Sequence, residues 1–413
     1  MSTITEQLPI SETFVPDQQD DLIERMRQAH SEATAMYPIG GGTSLDYGLP
    51  AKTPGLGVSL RGLDRVIDYP ARDMTITVEA GIPMARLAAE LARENQGLPI
   101  DVPQAEIATL GGVVATAFSG ARRYGWGTMR DYVIGIHAID GRGSPFRGGG
   151  RVVKNVAGYD FCKLLTGSRG TLGIITQVTL KVKPLPESSA LLYCDLPDAR
   201  AAESVLAALV HSETIPTAVE LLAGPCWSND PALCAAADGV MARLVVGLEG
   251  SSVEVAWMLE QLTSEWRELG VRAHRVANEE TALLWSRLAE FPAQGEDAMV
   301  VQASVLPSAT AAFVELLMDL APSGSVQAHA GNGVVVAHLT GRSAAEASQD
   351  LIQKLQPAAR SDGGSVIVLS SPQGVELTRQ AVWGGAVESA AVMKRVKDQF
   401  DPKHLLNPGR FIY

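Results

Sequence analysis

Residues 37–48 read YPIGGGTSLDYG, three consecutive glycines followed by a threonine and a serine. Backbone N–H groups bared by such small residues form a concave anion nest, to which Thr43 and Ser44 add hydroxyl donors. The chemistry on offer is phosphate binding, although a simple tight turn reads the same way. Two nucleotide signatures do not fit. A dinucleotide fingerprint needs G-x-G-x-x-G opening a helix, and the run after Asp46, Tyr-Gly-Leu-Pro, does not start one. The Gly-Lys-Ser/Thr of a Walker loop is absent as well.

Two more small-residue segments extend the pattern: TLGGVVATAFSGARRYGWG (109–127) and NVAGYDFCKLLTGSRGTLGIIT (155–176). Small residues let a backbone approach a flat ligand closely. Three such surfaces in one stretch of chain suggest an extended ligand with several polar parts, such as a dinucleotide. Arg122 and Arg123 read equally as a solvated turn, and Tyr159 as an aromatic of the core.

A histidine pair comes later, in AHAGNGVVVAHLTG (328–341). Metal binding needs several converging N or O ligands, and His329 and His338 have no evident third. On one strand their spacing puts them on opposite faces unless a turn intervenes. The expectation is no metal site, with His329 an ordinary core or surface histidine.

These residues need elements to position them. Residues 19–34 carry Leu22, Ile23, Met26 and Ala29 at helical spacing, and residues 35–39 are extended before the glycines. MTITVEA alternates as a half-buried strand does. Pro83 opens a helix that runs to Gly97, and GGVVATAFSG is a helix-prone apolar segment. YVIGIHAIDGRG reads as a strand with an Asp-Gly turn, and a second strand is expected around 151–153. Residues 160–186 give a helix, a glycine turn and a β-branched strand ended by Pro184 and Pro186. Beyond 187, strand and helix alternate repeatedly, as in an antiparallel sheet with helices on one face. The segment 385–402 is a last helix.

At 413 residues, with 46% apolar and 19% charged side chains, the chain is globular and too long for one core. A net charge of −12 argues against nonspecific nucleic-acid binding. The four cysteines lack iron–sulfur or zinc spacing and read as reduced thiols in a cytoplasmic protein. The first residues lack a signal-peptide pattern, and no apolar run reaches transmembrane length.

Four segments carry a resemblance: PIGGGTS (38–44), ATLGGVVATAFSGARRYGWGTMRDYVIG (108–135), VVKNVAGYDFCKLLTGSRGTLGIITQVTLKVKP (152–184) and FDPKHLLNPGRF (400–411). Together they resemble the PCMH-type FAD-binding domain of the vanillyl-alcohol-oxidase superfamily. Within it, they are most similar to the FAD-binding accessory subunits of bacterial glycolate oxidases, and less so to the catalytic subunits. The resemblance implies an α+β fold. A two-subdomain PCMH-type FAD-binding domain would occupy residues 1–186. An α/β-sandwich C-terminal domain with an antiparallel sheet would follow over 187–413, its tail packing on the FAD domain.

It also implies roles. Pro38, Gly40, Gly41, Gly42, Thr43 and Ser44 would cradle the FAD pyrophosphate. Thr109, Gly111 and Gly112 would line its ribityl and pyrophosphate portion, and Thr116, Ser119 and Gly120 would follow the flavin. Gly173 and Ile175 would pass the adenine side. Thr43 stands where some relatives tether FAD through a histidine, so the cofactor would be noncovalent. Catalytic relatives resemble one another at a His-x-Gly-Asp-Gly-Asn-x-x-His stretch, and here Asn332 and Val334 replace its Asp and Asn. A later His-Glu-His-Gly is missing. The implied partners are a catalytic glycolate oxidase flavoprotein and an iron–sulfur subunit, with a small 2-hydroxy acid as substrate of the complex. A peripheral place on the inner membrane face through those partners is compatible with this.

Overall fold

The computed structural model describes residues 7–150, 158–233, 239–294, 298–361, 363–372, 377–385 and 388–412. The expected strand at 151–153 and Cys234 lie outside them. The described residues divide into two compact units. The first contains residues up to Ser119, Thr128–Leu185 and those after 387, and the second contains Gly120–Gly127 and those of 186–385.

The first unit opens with a strand, Ile10–Phe14, and the helix Gln19–Glu32. The helix starts where Gln18 and Asp21 cap each other, Gln18 N donating to Asp21 Oδ2 at 3.1 Å. It buries Leu22, Ile23, Met26 and Ala29 and stops at Ala33 in the left-handed region. Ala35–Ile39 and Ile10–Phe14 both pair in parallel with Gly55–Ser59, giving a three-stranded sheet. A five-stranded sheet runs in the order Val66–Asp68, Thr75–Glu79, Ile174–Lys181, Val133–Ile139, Pro145–Gly149. Its core includes Ile76, Val78, Ile136, Val178 and Leu180, against which the helix Leu110–Thr116 buries Leu110, Val113 and Val114.

Two local expectations need correcting. The helix after Pro83 covers only Met84–Ala92. Asn95 takes a left-handed φ of 54°, and Gln96–Gly97 pair as a short strand with Lys183–Pro184. Tyr159 is not core but 86% exposed.

The second unit is built on eight strands in which every neighbouring pair is antiparallel. Register fixes which residues share a face. One face, with Leu192, Leu244, Val246, Leu221, Ala328 and Val335, is apolar and buried. The other carries Ser189, Glu249, Arg243, Glu220, Gln327 and His329. Helices occupy both faces rather than one. Ala202–Val210 and Thr310–Leu320 border a cavity with Val219 on the apolar side. The helix Asn278–Glu290 sends Trp285 to the polar side, its indole Nε1 donating to Ser189 Oγ at 2.9 Å. Gly247 accommodates that ring, since a Cβ there would stand 2.5 Å from it.

Candidate cofactor site

The strand Ala35–Ile39 delivers its chain into the glycine loop, and the loop forms one wall of a cleft in the first unit. Pro38, Gly40, Gly41, Gly42, Thr43, Ser44, Thr109, Gly111, Gly112, Thr116, Gly173 and Ile175 all line it. Ser119 and Gly120 do not. The Ser119 hydroxyl instead accepts from Met129 N at 3.0 Å.

The glycines serve two purposes. A Cβ on Gly40 would lie 2.1 Å from Thr109 Oγ1, and one on Gly111 would lie 2.9 Å from Ala80 Cβ. These positions let loop and helix touch. Gly112 differs, because the nearest atom to a Cβ there is Thr109 Oγ1 at 3.4 Å. Gly42, at φ 82°, has only Leu45 Cδ1 at 3.9 Å. Those two are small toward the cleft rather than toward the protein. Arg61 fixes the loop from outside, its Nη2 donating to Gly41 O at 2.9 Å.

The helix Leu110–Thr116 is held to the sheet by Gly111 N donating to Ala80 O at 2.7 Å. At its other end Gly167 N donates to Val114 O and Arg169 N to Ala115 O, bringing the third glycine segment alongside. The Thr116 hydroxyl donates back to Gly112 O at 2.9 Å. The Thr109 hydroxyl is buried without a hydrogen-bond partner among the described residues. A buried donor without a partner is costly, so this one suits an oxygen-rich ligand against the loop.

Sequence reasoning left out the rest of the wall: Leu45, Tyr47, Leu60, Ala115, Arg169, Gly170, Thr171, Ile174, Asn407, Arg410 and Phe411. The terminal segment enters by strand-like bonds. Met36 N donates to Leu405 O at 2.8 Å, Asn407 N to Met36 O at 3.0 Å, and Leu49 N to Arg410 O at 3.2 Å. Arg410 donates to the carbonyls of Leu45, Tyr47 and Leu49. The signal was present in NPGRF, a motif noted without assigning its residues. Charge and burial meet here. Burial lowers the Arg410 guanidinium, with Asp46 opposing. Burial also pushes the Tyr47 phenol up to about 12. A cationic, glycine-lined cleft with a waiting hydroxyl fits a large anionic dinucleotide. Among the described residues that line it there is no histidine.

The polar face of the second unit holds the histidines. His329 and Gln327 both bond the Glu220 carboxylate, with Nδ1 2.8 Å from Oε1 and Nε2 2.8 Å from Oε2 respectively. A turn at residues 330–333 does intervene, so His338 falls on the same face as His329. It stacks on Phe291 at 4.2 Å. Among the described residues no group of three His, Cys, Asp or Glu side chains is placed to share a metal ion. Arg122 is not a solvated turn residue: its Nε donates to Glu249 at 2.9 Å, and its guanidinium lies 3.8 Å over the Trp285 ring. Cys162 and Cys194 are buried free thiols, and Cys226 is half-buried. No helix among the described residues is long and apolar enough to cross a membrane.

Comparison with known proteins agrees with this geometry. Residues 11–149 match the FAD binding domain family, and residues 185–366 and 384–411 match the FAD linked oxidases, C-terminal domain. A D-2-hydroxyglutarate dehydrogenase of Xanthomonas citri pv. viticola is 29% identical over 424 residues, 96% of this chain and 88% of that one. Glycolate oxidase subunit GlcE of Escherichia coli is 37% identical over 177 residues, 43% of this chain and 50% of its own. An alkyldihydroxyacetonephosphate synthase structure superposes with a TM-score of 0.70 at 18% identity, covering 97% of this chain and 77% of that one.

Proposed function

The chain belongs to the FAD-linked oxidases, and from that premise we propose that it is the FAD-binding subunit of a glycolate-oxidising complex. In that complex glycolate is oxidised to glyoxylate by a catalytic flavoprotein, with an iron–sulfur subunit carrying electrons onward. The observation that carries the reading is the 37% identity to GlcE, whose name makes it a subunit.

FAD bound in the cleft supplies a two-electron acceptor. The chain's own residues grip it: the loop at 40–44 by backbone N–H groups, Thr109 and Thr116 by hydroxyls, Gly112 and Gly42 by leaving room, and Gly173 and Ile175 along the strand. Thr43 leaves the attachment noncovalent. The protein resides in the cytoplasm, with any membrane contact made through its partners.

A second reading, a self-sufficient FAD-dependent 2-hydroxy-acid dehydrogenase, is favoured by the 29% identity to the Xanthomonas enzyme over 96% of the chain. Purified protein separates the two. Under the first reading it is yellow, releases FAD on acid precipitation, and leaves an artificial acceptor unreduced when glycolate is added. Turnover of glycolate or another 2-hydroxy acid by the isolated chain at an ordinary enzyme rate establishes the second. A colourless chain that still assembles with the two partners would make it a non-catalytic assembly subunit.

A further inference from the structure

Arg169 occupies a left-handed turn (φ 53°) between the helix Phe161–Leu165 and the strand Ile174–Lys181. A residue bearing a Cβ adopts that conformation at a cost of about 1 kcal/mol, so its surroundings must hold it there. Its main chain is fixed from both sides. The N–H donates to Ala115 O at 2.8 Å, and the carbonyl accepts from Asn407 Nδ2 at 2.8 Å. Its guanidinium carbon lies 5.6 Å from the centre of the Tyr47 ring and 6.0 Å from that of Phe411.

The side chain is a cation in the wall of the same cleft as the glycine loop. Burial pulls it down to about 10, with Tyr47 opposing and Arg410 adding to the fall. Desolvating two guanidinium groups in one wall works against the protein alone, and it favours an arriving dianion. The two arginines divide the work. Arg410 is engaged with the carbonyls of Leu45, Tyr47 and Leu49 and holds the loop's shape. Arg169 lies over the Tyr47 and Phe411 rings, and its planar guanidinium matches the geometry of phosphate oxygens.

We propose that Arg169 is the counter-cation of the cofactor's diphosphate, with Arg410 a positioning residue that locks the loop beside it. The proposal rests on the FAD assignment and adds a function to it. Arg169 makes the site select a dinucleotide over the bare isoalloxazine, because riboflavin has no phosphate for it to meet.

The test uses full-length protein stripped of flavin. Affinities for FAD and riboflavin are read by quenching of flavin fluorescence, and for ADP by calorimetry. Arg169→Met should weaken FAD and ADP about 10- to 100-fold, the range of a lost charge-assisted bond, and change riboflavin less than about twofold. Arg169→Lys keeps the charge without the fork, and should fall between Arg169→Met and the unaltered protein. If Arg169→Met does not fold, Arg169→Lys carries the test through the same FAD-to-riboflavin comparison. Equal losses for FAD and riboflavin would make Arg169 a prop of the cleft, and unchanged FAD affinity would remove it from the site. Either result overturns the proposal. Unaltered protein that binds no FAD overturns the cofactor reading itself instead.

Discussion

Gly41 approaches Ile107 so closely that a Cβ built on it would stand 1.9 Å from the Ile107 carbonyl oxygen. The requirement for glycine there comes from the protein's own backbone, because the loop at 40–44 must lie against the segment leading into the helix Leu110–Thr116. Gly41→Ala should therefore force the two segments apart before any ligand is involved. The expected outcome is a destabilised chain, by about 2 kcal/mol or more, with FAD lost as a consequence. A fall in the urea midpoint of the flavin-free protein checks it. An unchanged midpoint would mean the loop relaxes freely.

Gly112→Leu should do the reverse. A Cβ there meets only Thr109 Oγ1, at an ordinary contact of 3.4 Å on the cleft side, and replacing a helical glycine gains helix propensity of up to about 1 kcal/mol. The variant should melt no lower than the unaltered flavin-free protein yet purify colourless. The ratio of FAD to protein after purification is the measurement. A fully loaded, yellow variant would place the cofactor away from this wall.

The contrast between these glycines marks what the sequence could disclose. Gly40, Gly41, Gly42, Gly111 and Gly112 were legible as a site because small residues cluster there, but a letter G does not say which neighbour demands it. The helix Gln19–Glu32 and the strand Ile174–Lys181 were legible because their apolar periods are clean. Arg169, Asn407 and Arg410 were not, although Arg169 lies in the third glycine segment and the other two in the terminal motif, because a single cation or amide carries no spacing that tells which surface it joins. Arg122 failed for a similar reason, as its partner Glu249 lies on a strand far along the chain. The end of the helix after Pro83 was misjudged because Asn95, a residue tolerant of positive φ, turns the chain before Gly97 does.

Lys397→Met tests how the terminal segment is held. The Lys397 ammonium is buried and donates to Asp401 at 2.6 Å, to Thr171 O at 2.7 Å and to Leu406 O at 3.0 Å. Removing it leaves a buried carboxylate and two carbonyls without their donor. The expected loss is about 3 kcal/mol, somewhat eased because Leu405 N and Leu406 N still donate to Asp401. Urea denaturation measures it. FAD affinity should fall too, because Asn407 and Arg410 follow directly.

Arg122→Ala should uncover a buried charge in the second unit. The Glu249 side chain is 4% exposed and pairs with Arg122 at 2.8 Å while accepting from Trp126 Nε1 at 3.0 Å. Without the guanidinium, about 2–4 kcal/mol should be lost. Adding Glu249→Gln should recover part of it, since a neutral amide no longer needs a cation. A double-mutant cycle in urea reads the coupling, and strictly additive losses would show that the pair is not coupled.

His338 gives the second unit a pH dependence whose sign can be worked out. Its ring stacks flat on Phe291, and its Nε2 is buried without a partner among the described residues. Burial drops it from the ordinary 6.5 to about 4, with a main-chain bond at Phe291 pulling the other way. Between these values the unfolded chain takes up a proton that the folded chain refuses. Stability from this group is therefore full above pH 6.5 and is lost as pH falls toward 4. Going from pH 7 to 5 should cost about 2 kcal/mol. His338→Leu keeps an apolar surface against Phe291 and has nothing to protonate, so its urea midpoint should fall less over the same interval. Other titrating groups act on both proteins alike, and the difference between the two slopes isolates His338. Identical slopes would show that the ring protonates in place, with the sheet opening enough to hydrate it.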